Sequence, residues 1–406
     1  MKDKLKFLPL LALYIVVIII ADIGAFWGDE AYYAKYANNL LHGYYVQQVE
    51  SDVFVSPGYP IVLIPSVLLG MPWIFVRLLN GLFLFLAVLY VYYTMRFYIP
   101  KNSALRFSYL IGIYPPFFLY LHRLITETLV ILLVCGLVYH FCNLFQNKGK
   151  SWIQLLISSI YLGYLALTKA FFGYVILAGL LLFFTLYLLK RTTAFKKVLL
   201  IYCFALLLCM PYLCYTYSMT GKIFYWANYG GASFYWMTTP YPDEMGGFRA
   251  SEVSDDELHR IPERHRDLFN ELRELSIIKR DAELKKRAIQ NIIDHPAKFF
   301  KNWVANVGRL LFNYPFYFTH QTLYTYVFII PNMFLYVFCV IAVYLNYKRP
   351  GVVPFEVYAL LSFVLISFAG LSLLSVFHRM FQPMVPIIML WMAITITRTL
   401  KVEILQ

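Results

Sequence analysis

Long apolar runs separated by short polar loops recur along the whole chain. A bilayer span needs about 20 apolar residues. Runs of that kind lie near 5–22, 72–97, 104–121, 127–145, 152–169, 171–189, 198–219, 323–346, 353–376 and 380–399. They predict an all-α polytopic membrane protein with about ten transmembrane helices. The apolar piece Gly58 to Gly70 is shorter and predicts an interfacial or half-inserted helix. The loops supply the orientation. Lys2/Lys4/Lys6, Arg96/Lys101/Arg106, Lys148/Lys150, Lys190/Arg191/Lys196/Lys197, Lys348/Arg349 and Arg398/Lys401 all fall on one side of such an arrangement. Basic loops mark the cytoplasmic face, which puts both termini inside.

The other side then collects the chemically unusual groups. It holds the loop 22–58 with Asp29 and Glu30, and the hinge His122-Arg123-Leu124-Ile125-Thr126-Glu127. It also holds Thr168-Lys169, the segment 220–322, and Phe377-His378-Arg379-Met380. Acids are scarce enough for this to matter. Of 22 Asp and Glu, 13 lie between Asp243 and Asp294; of the other nine, six are Asp22, Asp29, Glu30, Glu50, Asp52 and Glu127. A carboxylate at a membrane is costly to desolvate and usually has a function. Ionisable residues at several span ends on one side point to a shared cavity.

Composition sharpens this picture. The chain is 61% hydrophobic and 14% charged, with mean hydropathy +0.63. In a soluble domain the net charge of +13 would suggest nucleic acid. Here the basic residues sit in short loops, so no nucleic-acid partner is implied. Tyr and Phe number 35 each, which suits interfacial belts and sugar-facing surfaces. The six cysteines lie in apolar runs without metal or redox spacing and read as core thiols. The first apolar run has no small-residue cleavage site and reads as a retained helix.

Three regions follow. Residues 1–219 form a transmembrane module that includes the loop 22–58. Residues 220–322 form an external helical segment, and residues 323–406 the C-terminal transmembrane helices. Between Asp243 and Lys301 lie 25 of the chain's 57 charges, so that part reads as solvated helices. Ser254-Asp255-Asp256-Glu257 has capping-box spacing. The stretch from Asp294 through Phe299, Phe300, Trp303, Val307 and Leu310 reads as an amphipathic interfacial helix.

The order of these fragments resembles the GT-C membrane glycosyltransferases of the protein O-mannosyltransferase and aminoarabinose-transferase type. Gly28-Asp29-Glu30-Ala31-Tyr32-Tyr33 through Gly43 is similar to that family's first external loop and juxtamembrane helix. Ser56-Pro57-Gly58-Tyr59-Pro60 is similar to the Pro-rich entry that follows. Tyr114-Pro115 with Thr126-Glu127 resembles its third span and acidic hinge. Ala166-Leu167-Thr168-Lys169 resembles a Leu-Thr-Arg element with Lys in place of Arg. His378-Arg379-Met380-Phe381, with Pro383 and Pro386, resembles an Arg-Tyr element before the last span.

The resemblance implies a sugar donor on a polyprenyl phosphate and transfer outside the membrane to a glycan, lipid or protein acceptor. It implies that the first acid of the external loop is catalytic, which here is Asp29, with Glu30 beside it. The chemistry agrees. Polyprenyl phosphate leaves as a stable anion, whereas the acceptor hydroxyl needs a general base. Displacement assisted by one base inverts the anomeric centre. Lys169, Arg123 and Arg379 are the candidate phosphate cations, each also readable as a snorkelling span-end residue. Tyr33, Tyr59, His122, Glu127, His378 and His295 are candidate substrate contacts. Glu127 is also a candidate for a divalent metal, since some family members are metal-dependent and others not. Asp29 reads alternatively as the N-cap of a Glu30–Leu41 helix. The compact size suits a bacterial undecaprenyl carrier in the plasma membrane. The competing classes are a flippase for lipid-linked sugars and a non-catalytic assembly subunit. A flippase would place charges or broken helices near mid-span.

Overall fold

The computed structural model describes residues 2–46, 52–146, 151–250, 261–315 and 322–400. Every regular element among them is helical. Among the described residues, nine helices are long and apolar enough to cross a membrane. Along the chain, after a turn of helix at Lys2–Leu5, come α1 (Leu8–Ala21), the short non-spanning α2 (Glu30–Leu41) and α3 (Gly58–Leu68), α4 (Trp73–Met95), the short α5 (Lys101–Gly112), α6 (Glu127–Gln146), α7 (Ser151–Thr168), α8 (Phe171–Lys190) and α9 (Thr193–Thr220). Four non-spanning helices follow: α10 (Gly230–Met237), α11 (Glu263–Arg273), α12 (Ile277–Asp294) and α13 (Pro296–Phe312). Three spans close the chain: α14 (Tyr326–Lys348), α15 (Phe355–Ser372) and α16 (Val385–Thr399). The core packs α4, α6, α7 and α9 side by side, with α2 and α3 laid together at one end.

The run expected to span 104–121 is interrupted. α5 stops at Gly112, and one further turn forms at Pro115–Phe118. The cause is local. Pro116 has no N–H for the carbonyl of Gly112, four residues earlier. The Tyr14 hydroxyl donates to that carbonyl instead, at 2.7 Å. The broken segment still runs from one end of the bundle to the other. Lys101 pairs with Asp3 at 2.6 Å, while the carbonyls of Leu121 and Arg123 accept from Asn80 near the start of α4, at 2.9 and 2.6 Å.

α3 has 11 residues, too few to cross. Its first turn presses on the end of α7. A Cβ on Gly58 would lie 2.5 Å from Thr168 Oγ1, so only glycine admits this approach.

The segment between α9 and α14 builds a second small core, in which Trp236 of α10 stacks on Phe269 of α11 at 5.5 Å. α13 differs from a simple interfacial helix. Its buried face is polar, with Asn302, Asn306 and Arg309 donating to backbone carbonyls at helix ends and in loops, including those of Met237, Ser372 and Gly246. Phe300 and Val304 point outward instead. Leu310 is buried, and Trp303 Nε1 donates to Ser372 Oγ at 3.1 Å. The proposed capping box at Ser254–Glu257, like Glu50, Lys148, Lys150 and Lys401, lies outside the described residues.

Candidate active site

Ionisable residues segregate to the two ends of the bundle. One end holds Asp3, Lys101, Glu356 and Arg398, the last two tied to Tyr98. The other end holds Asp22, Asp29, Glu30, Arg77, Arg123, Glu127, Lys169 and Arg379, joined in two linked groups.

The first group centres on Arg379, in a short 3-10 turn (His378–Met380) ahead of α16. Its Nη2 lies 3.2 Å from Asp29 Oδ2, and its Nε lies 3.5 Å from Glu127 Oε1. Lys169 Nζ donates to the same Glu127 oxygen at 3.2 Å. Thus the loop before α2, the first residue of α6, the end of α7 and the approach to α16 meet at one place. Asp29 stands at the N-cap position of α2, yet its side chain makes no capping bond and reaches Arg379 instead. The Asp29 side chain is 34% exposed, so a substrate can reach it.

Aromatic groups wall this site. Tyr33 of α2 meets Tyr59 of α3 edge to face, with ring centroids 5.0 Å apart. Both rings are buried. Burial, reinforced by Asp29 and Glu127, holds the Tyr33 phenol well above its ordinary pKa. Tyr59 is raised for the same leading reason, with Glu127 and Glu30 adding to it. Lys169 moves the other way. Burial lowers its pKa, and the Glu127 carboxylate opposes part of that shift.

The second group centres on Glu30, which is fully buried. Arg77 Nη2 donates to Glu30 Oε2 at 3.0 Å and to the carbonyl of Ala25 at 2.9 Å. Its Nη1 pairs with Asp22. Arg123 Nη1 is 3.8 Å from Glu30 Oε1, and its guanidinium lies over the Trp27 ring at 4.8 Å. Sequence reasoning missed Arg77 and Asp22 as partners. The available signal was a cation four residues into an apolar run, where a charge needs a partner. Glu30 is therefore locked among cations, whereas Asp29 beside it faces the opening.

The remaining candidates fall in different places. His122 is half-buried next to Arg123. Burial lowers its pKa, with Arg123 and Arg77 adding to the shift. His378 is buried, with Nε2 2.8 Å from Asn332 Nδ2 and its ring 4.6 Å from that of Phe328. His295 is exposed at the junction of α12 and α13. These positions bring Asp29, Tyr33, Tyr59, Glu127, Lys169 and Arg379 together, with Glu30, Arg123 and His122 alongside.

A divalent cation is held by several oxygen ligands. Among the described residues no group of three or more His, Cys, Asp or Glu could hold one. At Glu127 the same oxygen already faces two cationic side chains. This donor set does not suit a metal there.

Residues 61–215 match the family model described as dolichyl-phosphate-mannose-protein mannosyltransferase. No curated protein matches the chain in sequence. Among solved structures, the oligosaccharyltransferase AglB of Archaeoglobus fulgidus, in complex with an inhibitory peptide and a dolichol-phosphate, is similar with TM-score 0.52 at 16% identity, over 97% of this chain and 50% of that one. ArnT from Cupriavidus metallidurans bound to undecaprenyl phosphate gives TM-score 0.44 at 14% identity, over 96% and 77%. The S. cerevisiae protein O-mannosyltransferase Pmt1-Pmt2 complex bound to the sugar donor gives 0.41 at 18%, over 54% and 34%. The chain spans about half the length of AglB. The chain thus shares its fold with AglB, and residues 61–215, less than half of it, are similar to the mannosyltransferase family model.

Proposed function

We propose that this protein transfers a sugar from a polyprenyl-phosphate donor to an acceptor hydroxyl, with Asp29 as general base. The observation that carries the reading is the reachable Asp29 carboxylate, 3.2 Å from Arg379, which in turn leads to Glu127 and Lys169. Base and phosphate cations are thereby neighbours, as a single displacement requires. The acceptor oxygen attacks the anomeric carbon and its proton passes to Asp29. The bond from that carbon to the phosphate oxygen breaks, and its electron pair leaves with the polyprenyl phosphate. Attack opposite the leaving group inverts the anomeric centre. AglB, which shares the fold, binds a dolichol-phosphate, which supports a polyprenyl carrier. The carrier tail lies in the bilayer, and its phosphate sits at the end where Lys169 and Arg379 stand.

Arg379 and Lys169 stabilise the charge that builds on the departing oxygen. Lys169 supplies a point charge rather than a bidentate fork. Glu127 orients both cations. Glu30, held by Arg77, sets the direction in which α2 leaves Asp29. The distribution of basic loops supports a site on the exterior of the membrane, which in a bacterium is the periplasmic face of the plasma membrane.

The test is a transfer assay with purified protein, radiolabelled polyprenyl-phosphate sugars and a membrane extract as acceptor. The Asp29→Asn variant keeps the size of the side chain and removes its basicity. Transfer should fall by about two orders of magnitude or more with the fold intact. Near-normal turnover in this variant would reject Asp29 as the base.

A further inference from the structure

A cavity of about 400 Å³ opens between α2, α10, α12 and the stretch around Asp52–Phe54. Resting on the transfer reading above, we propose that this cavity is the acceptor subsite and that the acceptor group it takes is a saccharide. Its wall is a row of aromatic rings. Tyr32 lies 4.7 Å from Phe54, and Phe54 lies 5.8 Å from Tyr229, centroid to centroid. Around the rings stand Lys35, Asp52 and Arg280. Sugar rings present apolar C–H faces and hydroxyls that both donate and accept. Aromatic faces with carboxylate acceptors and cationic donors close by match both requirements. A lipid tail would need an unbroken apolar wall, which Lys35, Asp52, Arg280 and Asp281 interrupt.

Two features tie the cavity to the transfer chemistry. Tyr32 is three residues after Asp29 and so shares its side of α2. Tyr229 lines the cavity and also lies within electrostatic reach of Asp29 and Arg379. On this proposal an acceptor lying across Tyr32 and Tyr229 extends toward the base. The far wall is rigid. Asp281 accepts from the Gly231 N–H and pairs with Lys285 at 2.7 Å. A Cβ on Gly231 would meet the Asp281 carbonyl at 2.2 Å, so α10 and α12 are held in contact.

The experiment uses the full chain in nanodiscs on an array of neutral, amino and uronic oligosaccharides. A pool of Ser/Thr-containing peptides serves as the competing macromolecular class. Oligosaccharides should be retained and peptides not. Phe54→Ala and Tyr229→Ala should each weaken retention at least tenfold, while Tyr229→Phe, which keeps the ring, should hold near wild type. Lys35→Glu, at an exposed position that does not threaten the fold, should shift the preference from uronic towards amino sugars. Asp29→Asn should bind saccharide as wild type does while losing transfer. Transfer that survives in Asp29→Asn would sink the assignment of the base and leave the subsite standing. Absence of saccharide retention, retention unchanged in both Ala variants, or retention of peptides instead would overturn the subsite whatever the transfer result.

Discussion

Arg379 Nη2 lies 3.2 Å from Asp29 Oδ2, across 350 positions of sequence. The pair joins the loop before α2 to the turn before α16. The same guanidinium reaches Glu127 with its Nε, so one side chain orients the proposed base and faces the cluster where the phosphate would leave. Truncating Arg379 to Ala should therefore lower kcat by about a hundredfold, the scale for loss of one preorganised charge stabiliser. Donor affinity should change less, because the interaction strengthens as charge develops. Steady-state constants for the donor separate the outcomes. A rise in apparent KM alone would make Arg379 a donor anchor.

Arg77 and Glu30 make a different kind of pair. Both are buried, and Arg77 is also joined to Asp22 and the Ala25 carbonyl. Removing one member of a buried pair leaves an uncompensated charge, at a cost of about 3–5 kcal/mol. Arg77→Met should lower the thermal stability of the detergent-solubilised protein sharply. Adding Glu30→Gln to that variant should recover part of the loss, because the fully buried orphaned charge is gone while Asp22, 17% exposed, keeps access to solvent. Scanning fluorimetry on the two single variants and the double variant reads the coupling. Additive effects would mean that the pair is not coupled.

Span positions were legible because a bilayer demands long apolar runs, and these stand out against the loops. The break in the 104–121 run was visible as Pro115-Pro116 but hidden by the run's length. It is the missing N–H of Pro116, met by Tyr14, that divides the helix. The collection of Asp29, Glu127, Lys169 and Arg379 at one end was also legible, since few acids lie outside the segment 243–294. Their pairing was not. Nothing local to residue 29 indicates residue 379, and an acid before a helix reads equally well as a cap. Arg77 was lost for a related reason: an apolar run that tolerates one cation looks the same whether the cation snorkels or is locked to Glu30.

The orientation of the bundle has its own test. Lys35 on α2 and Thr192 before α9 are exposed. The distribution of basic loops puts them on opposite sides. In a Cys214→Ser background, Lys35→Cys should react with an impermeant maleimide in intact cells. Thr192→Cys should react only after permeabilisation. Labelling of both from outside would refute the arrangement.

Lys169 gives the site a pH signature. Burial lowers its pKa below the ordinary lysine value of 10.5, and Glu127 only partly offsets that. As pH rises through the lowered value, the ammonium loses its proton and its hold on a phosphate. Donor affinity should therefore weaken on the alkaline side at a pH below 10.5. The stability contribution has the opposite sign. Between the lowered folded value and the unfolded value, the unfolded chain binds more protons at this residue, so its burial destabilises the fold less as pH rises across that window. A loss of donor binding with no parallel loss of thermal stability would thus point to the lysine rather than to unfolding. Lys169→Arg keeps a cation that stays protonated throughout. It should move the alkaline limit of donor binding upward, measured as apparent donor KM against pH. An alkaline limit identical in Lys169→Arg and wild type would mean that another group sets it.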